Sequence, residues 1–241
     1  MFEILPAIDL RDGKCVRLLR GDYAQETIYG DDPVVMARKW EALGARRLHV
    51  VDLDGAKAGA PENHEVVAQI ARALSIPVQL GGGLRTRESI AQVLESGVER
   101  AIIGTRAIQN PEWAREMFRE FGPRLILGLD AREGKIATAG WMETSAVEAV
   151  EFAKQAEAWG CRRIIFTDIA RDGTLEGPNI PALQKVAAAV SIPVVASGGV
   201  HVAQDVRALR QVANVEGVIV GKALYANTAT LPDLLQMAGE G

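Results

Sequence analysis

The sequence predicts a single (β/α)8 TIM barrel with an internal half-barrel repeat, on three observations. Eight short apolar runs alternate with eight amphipathic helical patterns over 241 residues, which is the arrangement of a barrel built from strand–helix units. The runs are continuously apolar, as is typical of parallel strands covered on both faces. Acidic and glycine-rich motifs of the first half return in the second. We therefore predict one domain over residues 1–241, with half-barrels of approximately 1–122 and 123–241.

The eight predicted strands are short runs rich in Val, Ile and Leu. They cover residues 2–8, 47–53, 77–80, 101–104, 125–130, 163–168, 193–197 and 218–221. The main alternative is a doubly wound sheet, which would normally have fewer repeats and a Gly-x-Gly-x-x-Gly motif after its first strand. The number of repeats in this sequence favours the barrel.

Helix starts are predicted from residues that can cap a first turn. Such residues are Asp32, Thr86, Asn110 and Asn179. Ser145 and Glu148 form a capping-box pattern, which predicts a helix from that point to Gly160. The remaining helices are predicted from apolar spacing alone, over residues 63–74, 202–212 and 231–238.

Composition bounds the partners of the protein. A net charge of -4 gives no electrostatic reason to bind nucleic acid or an acidic membrane surface. No apolar run approaches the ~18 residues that cross a bilayer, and the N-terminus lacks the basic and apolar regions of a signal peptide. Cys15 and Cys161 show no pairing pattern, which favours a reducing compartment. His49, His64 and His201 lack zinc-ligand spacing, so no metal is predicted. We expect a cytoplasmic monomer that binds neither nucleic acid nor membrane.

The clearest sign of duplication is a six-residue motif that occurs twice. Asp9-Leu-Arg-Asp-Gly-Lys14 and Asp130-Ala-Arg-Glu-Gly-Lys135 share four identical positions. Other equivalent pairs are Asp52/Asp168, Gly82/Gly198 and Gly104/Gly221. Asp9 and Asp130 are about five residues further apart in the sequence than the residues of the other pairs. This difference places the extra residues of the first half in the polar segment 21–32. We predict this segment to be either a solvated surface loop or a mobile lid over the site.

Two of the repeated residues are candidates for acid–base chemistry. In a barrel, the carboxyl ends of the strands and the loops that follow them form the active face. Asp9 and Asp130 end strands that lie opposite one another, so their carboxyl groups can face one cavity and divide acid and base work. We expect the like charge of one to keep the other protonated near neutral pH. A strand-end aspartate often only caps the next turn, and we predict that supporting role for Asp52 and Asp168.

Glycines at the ends of the third, fourth, seventh and eighth strands predict phosphate binding. Glycine allows backbone N–H groups to approach an anion closely, although tight strand-to-helix turns also require it. Four such loops in symmetric positions favour two phosphate sites on opposite sides of the mouth, and hence a small molecule with a phosphate at each end. The candidate residues are Gly82, Gly83, Arg85, Gly104, Thr105, Gly198, Gly199, Gly221 and Lys222.

Four motifs together resemble a known enzyme family. They are Pro6-Ala-Ile-Asp-Leu-Arg-Asp-Gly-Lys-Cys-Val-Arg-Leu18, Val51-Asp-Leu-Asp-Gly-Ala56, Gly81-Gly-Gly-Leu-Arg85 and Thr167-Asp-Ile-Ala-Arg-Asp-Gly-Thr-Leu-Glu-Gly-Pro-Asn179. The chain resembles, over essentially its whole length, the phosphoribosylformimino-aminoimidazole-carboxamide ribotide isomerases of histidine biosynthesis. The resemblance implies an Amadori rearrangement of an aminoaldose to an aminoketose, on a bisphosphate ribonucleotide substrate and without metal or cofactor.

The resemblance also implies roles for individual residues. Asp9 would be the general base, Asp130 the general acid, and Thr167 would assist them. Further residues that would line the site are Arg17, Trp141, Asp172 and Gly173.

Three alternatives stay open from the sequence. The cyclase subunit of imidazole glycerol phosphate synthase has a similar repeat and paired aspartates, but it usually begins with Cys-Leu-Asp and requires a glutaminase partner. Ile8 and the run 16–23 favour the isomerase instead. A dual-substrate isomerase that also acts on phosphoribosylanthranilate is similar at Arg17 and Gly140-Trp141. A barrel that binds phosphate without turnover is the third alternative.

Overall fold

The computed structural model describes residues 2–138, 141 and 143–239. Within these residues, twelve strands form one sheet. They are β1 (Glu3–Arg11), β2 (Lys14–Leu19), β3 (Asp22–Gly30), β4 (Leu48–Asp52), β5 (Val78–Gly81), β6 (Arg100–Ile103), β7 (Leu125–Arg132), β8 (Lys135–Thr138), β9 (Glu143–Glu148), β10 (Ile164–Asp168), β11 (Val194–Ser197) and β12 (Val215–Val220).

Eight of these strands are parallel and close into a barrel. The order is β1, β4, β5, β6, β7, β10, β11 and β12, and β12 pairs with β1. The two halves meet where β6 pairs with β7 and where β12 pairs with β1. Within the second half, β7 pairs with β10, and Asp130 is the partner of Thr167. These eight strands coincide, within a few residues, with the eight predicted apolar runs. The predicted (β/α)8 barrel is confirmed, whereas the boundary between half-barrels at 122/123 stays a prediction.

Helices surround the barrel. They are α1 (Pro33–Ala42), α2 (Leu53–Ala58), α3 (His64–Ala73), α4 (Arg87–Glu95), α5 (Thr105–Gln109), α6 (Pro111–Phe121), α7 (Ala149–Ala158), α8 (Ile180–Ala189), α9 (Ala203–Arg210), α10 (Lys222–Tyr225) and α11 (Leu231–Met237). The predicted caps at Asp32, Thr86, Asn110 and Asn179 each accept a hydrogen bond from the first turn of their helix. No helix within the described residues is long and apolar enough to cross a membrane.

Two predictions about local structure were wrong, because hairpins extend the strands beyond the barrel. The capping box at Ser145 and Glu148 does not begin a helix. Both residues lie in β9, which is paired with β8, and the helix begins at Ala149. The polar segment 21–32 is not a surface loop, since most of it is β3, paired antiparallel with β2; the alternative that it is a mobile lid stays a prediction. Each half-barrel therefore carries an antiparallel hairpin after its first strand, above the mouth of the barrel.

The barrel interior is filled by apolar side chains and closed at its amino-terminal end by ion pairs. The interior side chains are Leu5, Ala7, Ile102, Ile126, Ile165, Val195 and Ile219. Below them, Arg47 pairs with Glu3 and Glu99, and Arg163 pairs with Glu216. A packed floor of this kind leaves the opposite, carboxyl-terminal end as the place for a site.

The internal repeat extends to individual hydrogen bonds. Asn63 Nδ2 donates to Asp52 Oδ1 at 2.7 Å, over a sequence separation of 11 residues. Asn179 Nδ2 donates to Asp168 at 2.6 Å, over the same separation of 11 residues. Both bonds tie the loop after a barrel strand to the helix that follows. They are the loop hydrogen bonds expected of a supporting role for the two aspartates, and that role stays a prediction.

Candidate active site

One cavity opens at the carboxyl ends of the barrel strands, and the sixteen candidate residues all line it. They are Asp9, Arg17, Gly82, Gly83, Arg85, Gly104, Thr105, Asp130, Trp141, Thr167, Asp172, Gly173, Gly198, Gly199, Gly221 and Lys222. The structure thus brings these residues together around one cavity. Their individual roles in binding and catalysis stay predictions. Gly140, which was considered for substrate range, lies outside the described residues.

Asp9 is held in the cavity by an ion pair with Arg17. The turn Asp12-Gly13 has positive φ at both residues, as a two-residue hairpin turn requires, and it folds β2 back along β1. Arg17 Nη1 then donates to Asp9 Oδ1 at 2.8 Å, with side chains 8% and 12% exposed. Burial raises the pKa of Asp9 to about 6, although the charge of Arg17 lowers it. Asp9 is therefore mostly ionised at pH 7.

Asp130 is held by two hydrogen-bond donors. The indole Nε1 of Trp141 donates to Asp130 Oδ2 at 2.8 Å, and Thr167, its neighbour on β10, donates a second bond. Burial raises the pKa of Asp130, whereas these two hydrogen bonds lower it. Hydrogen bonds to the charged form and burial thus act in opposite directions on this carboxyl group.

A third carboxylate, Asp172, influences both aspartates. Its charge raises the pKa of Asp9 and that of Asp130. The prediction that Asp9 and Asp130 act on each other by like charge is wrong, because the like charge that raises both pKa values is that of Asp172. Burial raises the pKa of Asp172 itself, and the charges of Arg17 and Lys222 lower it. The cavity therefore holds a network of three carboxylates and two cations. Its members are Asp9, Asp130, Asp172, Arg17 and Lys222.

The paired glycine loops have the same construction in the two halves. Gly82 has a φ of +109°, and a Cβ added there would lie 2.1 Å from the carbonyl oxygen of Asp52. Gly198 has a φ of +99°, and its Cβ would lie 2.7 Å from the carbonyl oxygen of Asp168. Glycine is therefore required by close backbone packing at both positions, whether or not an anion binds there.

Strands β6 and β12, the fourth and eighth of the barrel, also end in the same way. Gly104 (φ −128°, ψ −103°) and Gly221 (φ −110°, ψ −94°) each precede a short helix. At Gly221 a Cβ would lie 2.3 Å from the guanidinium carbon of Arg17. This glycine therefore makes room for the cation that pairs with the candidate base.

Basic side chains lie on both sides of the cavity. In the first half, Arg85 Nη2 donates to the carbonyl oxygen of Ala56 at 3.1 Å, which fixes the guanidinium beside its glycine loop. Arg106 also lines the cavity, and its buried Nε has no hydrogen-bond partner among the residues that the structure describes. In the second half the cavity is lined by Lys222. Cations on opposite sides suit a dianionic ligand with separated charges.

Further residues of the cavity wall were not predicted from the sequence, among them Tyr23, His49 and Arg106. His49 was set aside because the histidines are scattered. Its ring Nδ1 lies 2.9 Å from Gln79 Nε2, and burial, with the charge of Arg17, lowers its pKa to about 3. It is thus a neutral polar group. The sequence offered no such signal: His49 lies two residues before Val51 and therefore on the same face of the strand, but only the structure shows that Val51 lines the cavity.

Comparisons with known proteins give a consistent assignment. The family described as "Histidine biosynthesis protein" matches residues 3–230. A protein of Gloeothece citriformis is 53% identical over 241 residues, covering 99% of this chain and 94% of its own. One of Synechocystis is 52% identical with the same coverage, and one of Chloroflexus aggregans is 51% identical over 236 residues, covering 98% of both chains. All three are named 1-(5-phosphoribosyl)-5-((5-phosphoribosylamino)methylideneamino) imidazole-4-carboxamide isomerase.

Proposed function

This chain belongs to the histidine biosynthesis protein family, and from that premise we propose that it is an imidazole-4-carboxamide isomerase like the relatives named above. The substrate in their name has two 5-phosphoribosyl groups. The isomerisation is an Amadori rearrangement, in which the aminoaldose at one ribosyl group becomes an aminoketose. One observation carries the proposal: Asp9 and Asp130 face the same cavity between two symmetric pairs of glycine loops, and each pair has a basic side chain beside it.

The phosphate groups are proposed to bind the two glycine-loop pairs. One pair comprises the loops that begin at Gly82 and Gly104, and the other those that begin at Gly198 and Gly221. Arg85 and Lys222 supply positive charge on the two sides. A substrate held at both ends would present its central part to the carboxylates, and this fixed orientation lowers the entropic part of the barrier.

Asp130 is the proposed general acid of the first step. Its raised pKa favours a proton on the carboxyl group, and that proton would go to the ring oxygen of the ribosyl group in the phosphoribosylamino arm, not of the one attached to the imidazole. The bond between C1′ and the ring oxygen breaks, the nitrogen lone pair forms an iminium, and Asp130 is left as a carboxylate. Trp141 and Thr167 stabilise this carboxylate through their hydrogen bonds.

Asp9 is the proposed general base of the second step. With a pKa of about 6, it is mostly ionised at pH 7 and can take the proton from C2′. The electron pair of that C–H bond forms the C1′–C2′ double bond of an enolamine, and the iminium nitrogen becomes neutral. Tautomerisation of the enol to the ketone then gives the aminoketose, so the reaction consumes no oxidant or reductant.

A pair of spectrophotometric assays tests the proposal. One uses the aminoimidazole-carboxamide substrate, and the other uses phosphoribosylanthranilate. We expect turnover of the first substrate. Turnover of both would support the dual-substrate alternative, while turnover of neither would contradict the isomerase and return attention to the cyclase or to a barrel that only binds phosphate.

A further inference from the structure

The indole ring of Trp141 lies against a residue without a side chain. Arg20 and Gly21 form the two-residue turn between β2 and β3, with φ angles of +52° and +74°. A Cβ added to Gly21 would lie 2.4 Å from Cε3 of Trp141 and 3.0 Å from Cζ3. Real Cβ atoms do not approach other heavy atoms so closely. Any side chain at Gly21 therefore has to displace the indole or the turn.

The same indole reaches across the cavity to Asp130. Its Nε1 donates to Asp130 Oδ2 at 2.8 Å, while its six-membered ring covers Gly21. Trp141 itself has a φ of +73°, a conformation that a bulky residue adopts only when its surroundings hold it there. Gly21 belongs to the hairpin of the first half-barrel, whereas Asp130 and Trp141 belong to the second.

We propose that Gly21 is a positioning residue for Asp130: because it has no side chain, Trp141 can lie where its N–H reaches the carboxylate. The turn of the first-half hairpin thereby fixes the hydrogen bonding of the candidate acid in the second half. The inference rests on the proposed function only in assigning Asp130 as the acid, and the contact can be measured without turnover.

The direction of the effect follows from the hydrogen bond. The bond from Trp141 lowers the pKa of Asp130, because it stabilises the charged form. A side chain at Gly21 that displaces the indole removes this bond, so the pKa of Asp130 rises. If Asp130 acts as an acid, the fall of kcat/KM at high pH then moves to higher pH.

The chain offers a matched control for the backbone. Gly13 lies in the turn between β1 and β2 with a φ of +73°, and a Cβ added there meets nothing within 4 Å. Gly13→Ala and Gly21→Ala therefore impose similar backbone strain, but only the second displaces Trp141. Asparagine tolerates positive φ better than alanine, so Gly13→Asn and Gly21→Asn form a second matched pair if Gly21→Ala does not fold.

The experiment follows the indole N–H signal of Trp141 by NMR as the pH is varied, with the signal assigned by its loss in Trp141→Phe. In the wild type and in Gly13→Ala, we expect the signal to titrate with Asp130. In Gly21→Ala, the chemical shift of this signal should become that of a solvent-exposed indole N–H, and it should no longer change as Asp130 titrates. A Trp141 signal in Gly21→Ala or Gly21→Asn that keeps its wild-type position and titration would overturn the proposal.

A mutant cycle separates this role from general destabilisation. If Gly21 acts through Trp141, Gly21→Ala should not shift the high-pH limb of kcat/KM further when Trp141→Phe is already present. An additive shift would overturn the proposal. Failure of the proposed function would look different, because the wild type would then turn over neither substrate, while the titration of its Trp141 signal could still be measured. Failure of the acid assignment alone would appear as turnover retained in Asp130→Asn.

Discussion

Arg17 Nη1 lies 2.8 Å from Asp9 Oδ1, so the candidate base is paired with a buried cation. The pair joins the first barrel strand to the hairpin strand that folds back along it. The charge of Arg17 opposes the effect of burial on Asp9 and so keeps its pKa at about 6. Arg17 is therefore the residue that allows a buried carboxyl group to be ionised at neutral pH.

Replacing Arg17 by methionine should move the low-pH limb of activity. Without the guanidinium, the pKa of Asp9 rises above about 6, because burial is then unopposed. As the base must be deprotonated, the fall of kcat/KM on acidification should begin at higher pH. Arg17→Lys keeps the positive charge and should shift the limb less. A low-pH limb unchanged in Arg17→Met would show that this pair does not set the protonation of the base.

Asp130→Asn should change the pH dependence of stability. The folded-state pKa of Asp130 is raised above its ordinary value, so the stability that it contributes is present at low pH and is lost as the pH rises through the folded pKa. Asparagine does not titrate. The free energy of unfolding of the variant, relative to the wild type, should therefore increase between pH 4 and pH 8 in urea denaturation.

The control for that measurement is Asp12→Asn, since Asp12 is exposed and has a positive φ that asparagine tolerates. We expect no comparable increase there. If the free energy of unfolding of Asp130→Asn differs from that of the wild type by the same amount at every pH, the carboxyl group of Asp130 does not have a raised pKa in the folded protein.

Asp52 should matter more for stability than for chemistry. Its buried carboxylate accepts hydrogen bonds from the loop N–H groups of Gly55, Glu62 and Asn63 and from the Asn63 side chain. Removing it in Asp52→Ala leaves those donors without a partner, which should lower the free energy of unfolding by about 3 kcal/mol. Thermal and urea unfolding measure the loss.

The neighbouring Asp54 provides the comparison, because it accepts hydrogen bonds from Asp12 N and Asn63 Nδ2 near the surface. Asp54→Ala should be less destabilising than Asp52→Ala. A well-folded, fully stable Asp52→Ala protein with no turnover would contradict the supporting role and indicate a direct part in catalysis.

The barrel strands were predictable because burial on both faces leaves a continuous apolar run, as in Leu125–Arg132, where a run of Leu and Ile leads up to Asp130. The hairpin strands were not. β3 (Asp22–Gly30) is mostly polar and exposed, so it has neither an apolar run nor a regular alternation. In the second half, β9 contains a sequence that also reads as a helix cap. Pairing with β8, a tertiary contact, decides between the two.

Much of the site was predictable from position, since strand ends converge at one face of a barrel. The partners within it were not. The ion pair of Asp9 with Arg17 depends on the register of a hairpin, and the contact of Asp130 with Trp141 depends on a loop conformation with positive φ. Asp172 was expected to line the site, but its charge acts on both aspartates through space, and sequence spacing contains no information on that distance.

The most direct test of the acid–base assignment is the turnover of Asp9→Asn and Asp130→Asn on the aminoimidazole-carboxamide substrate. Asparagine retains the shape of aspartate but cannot exchange the proton, so each variant should lose about 10²–10⁴-fold in kcat. Circular dichroism should be that of the native fold in both. Turnover close to that of the wild type in either folded variant would contradict the assignment of that aspartate.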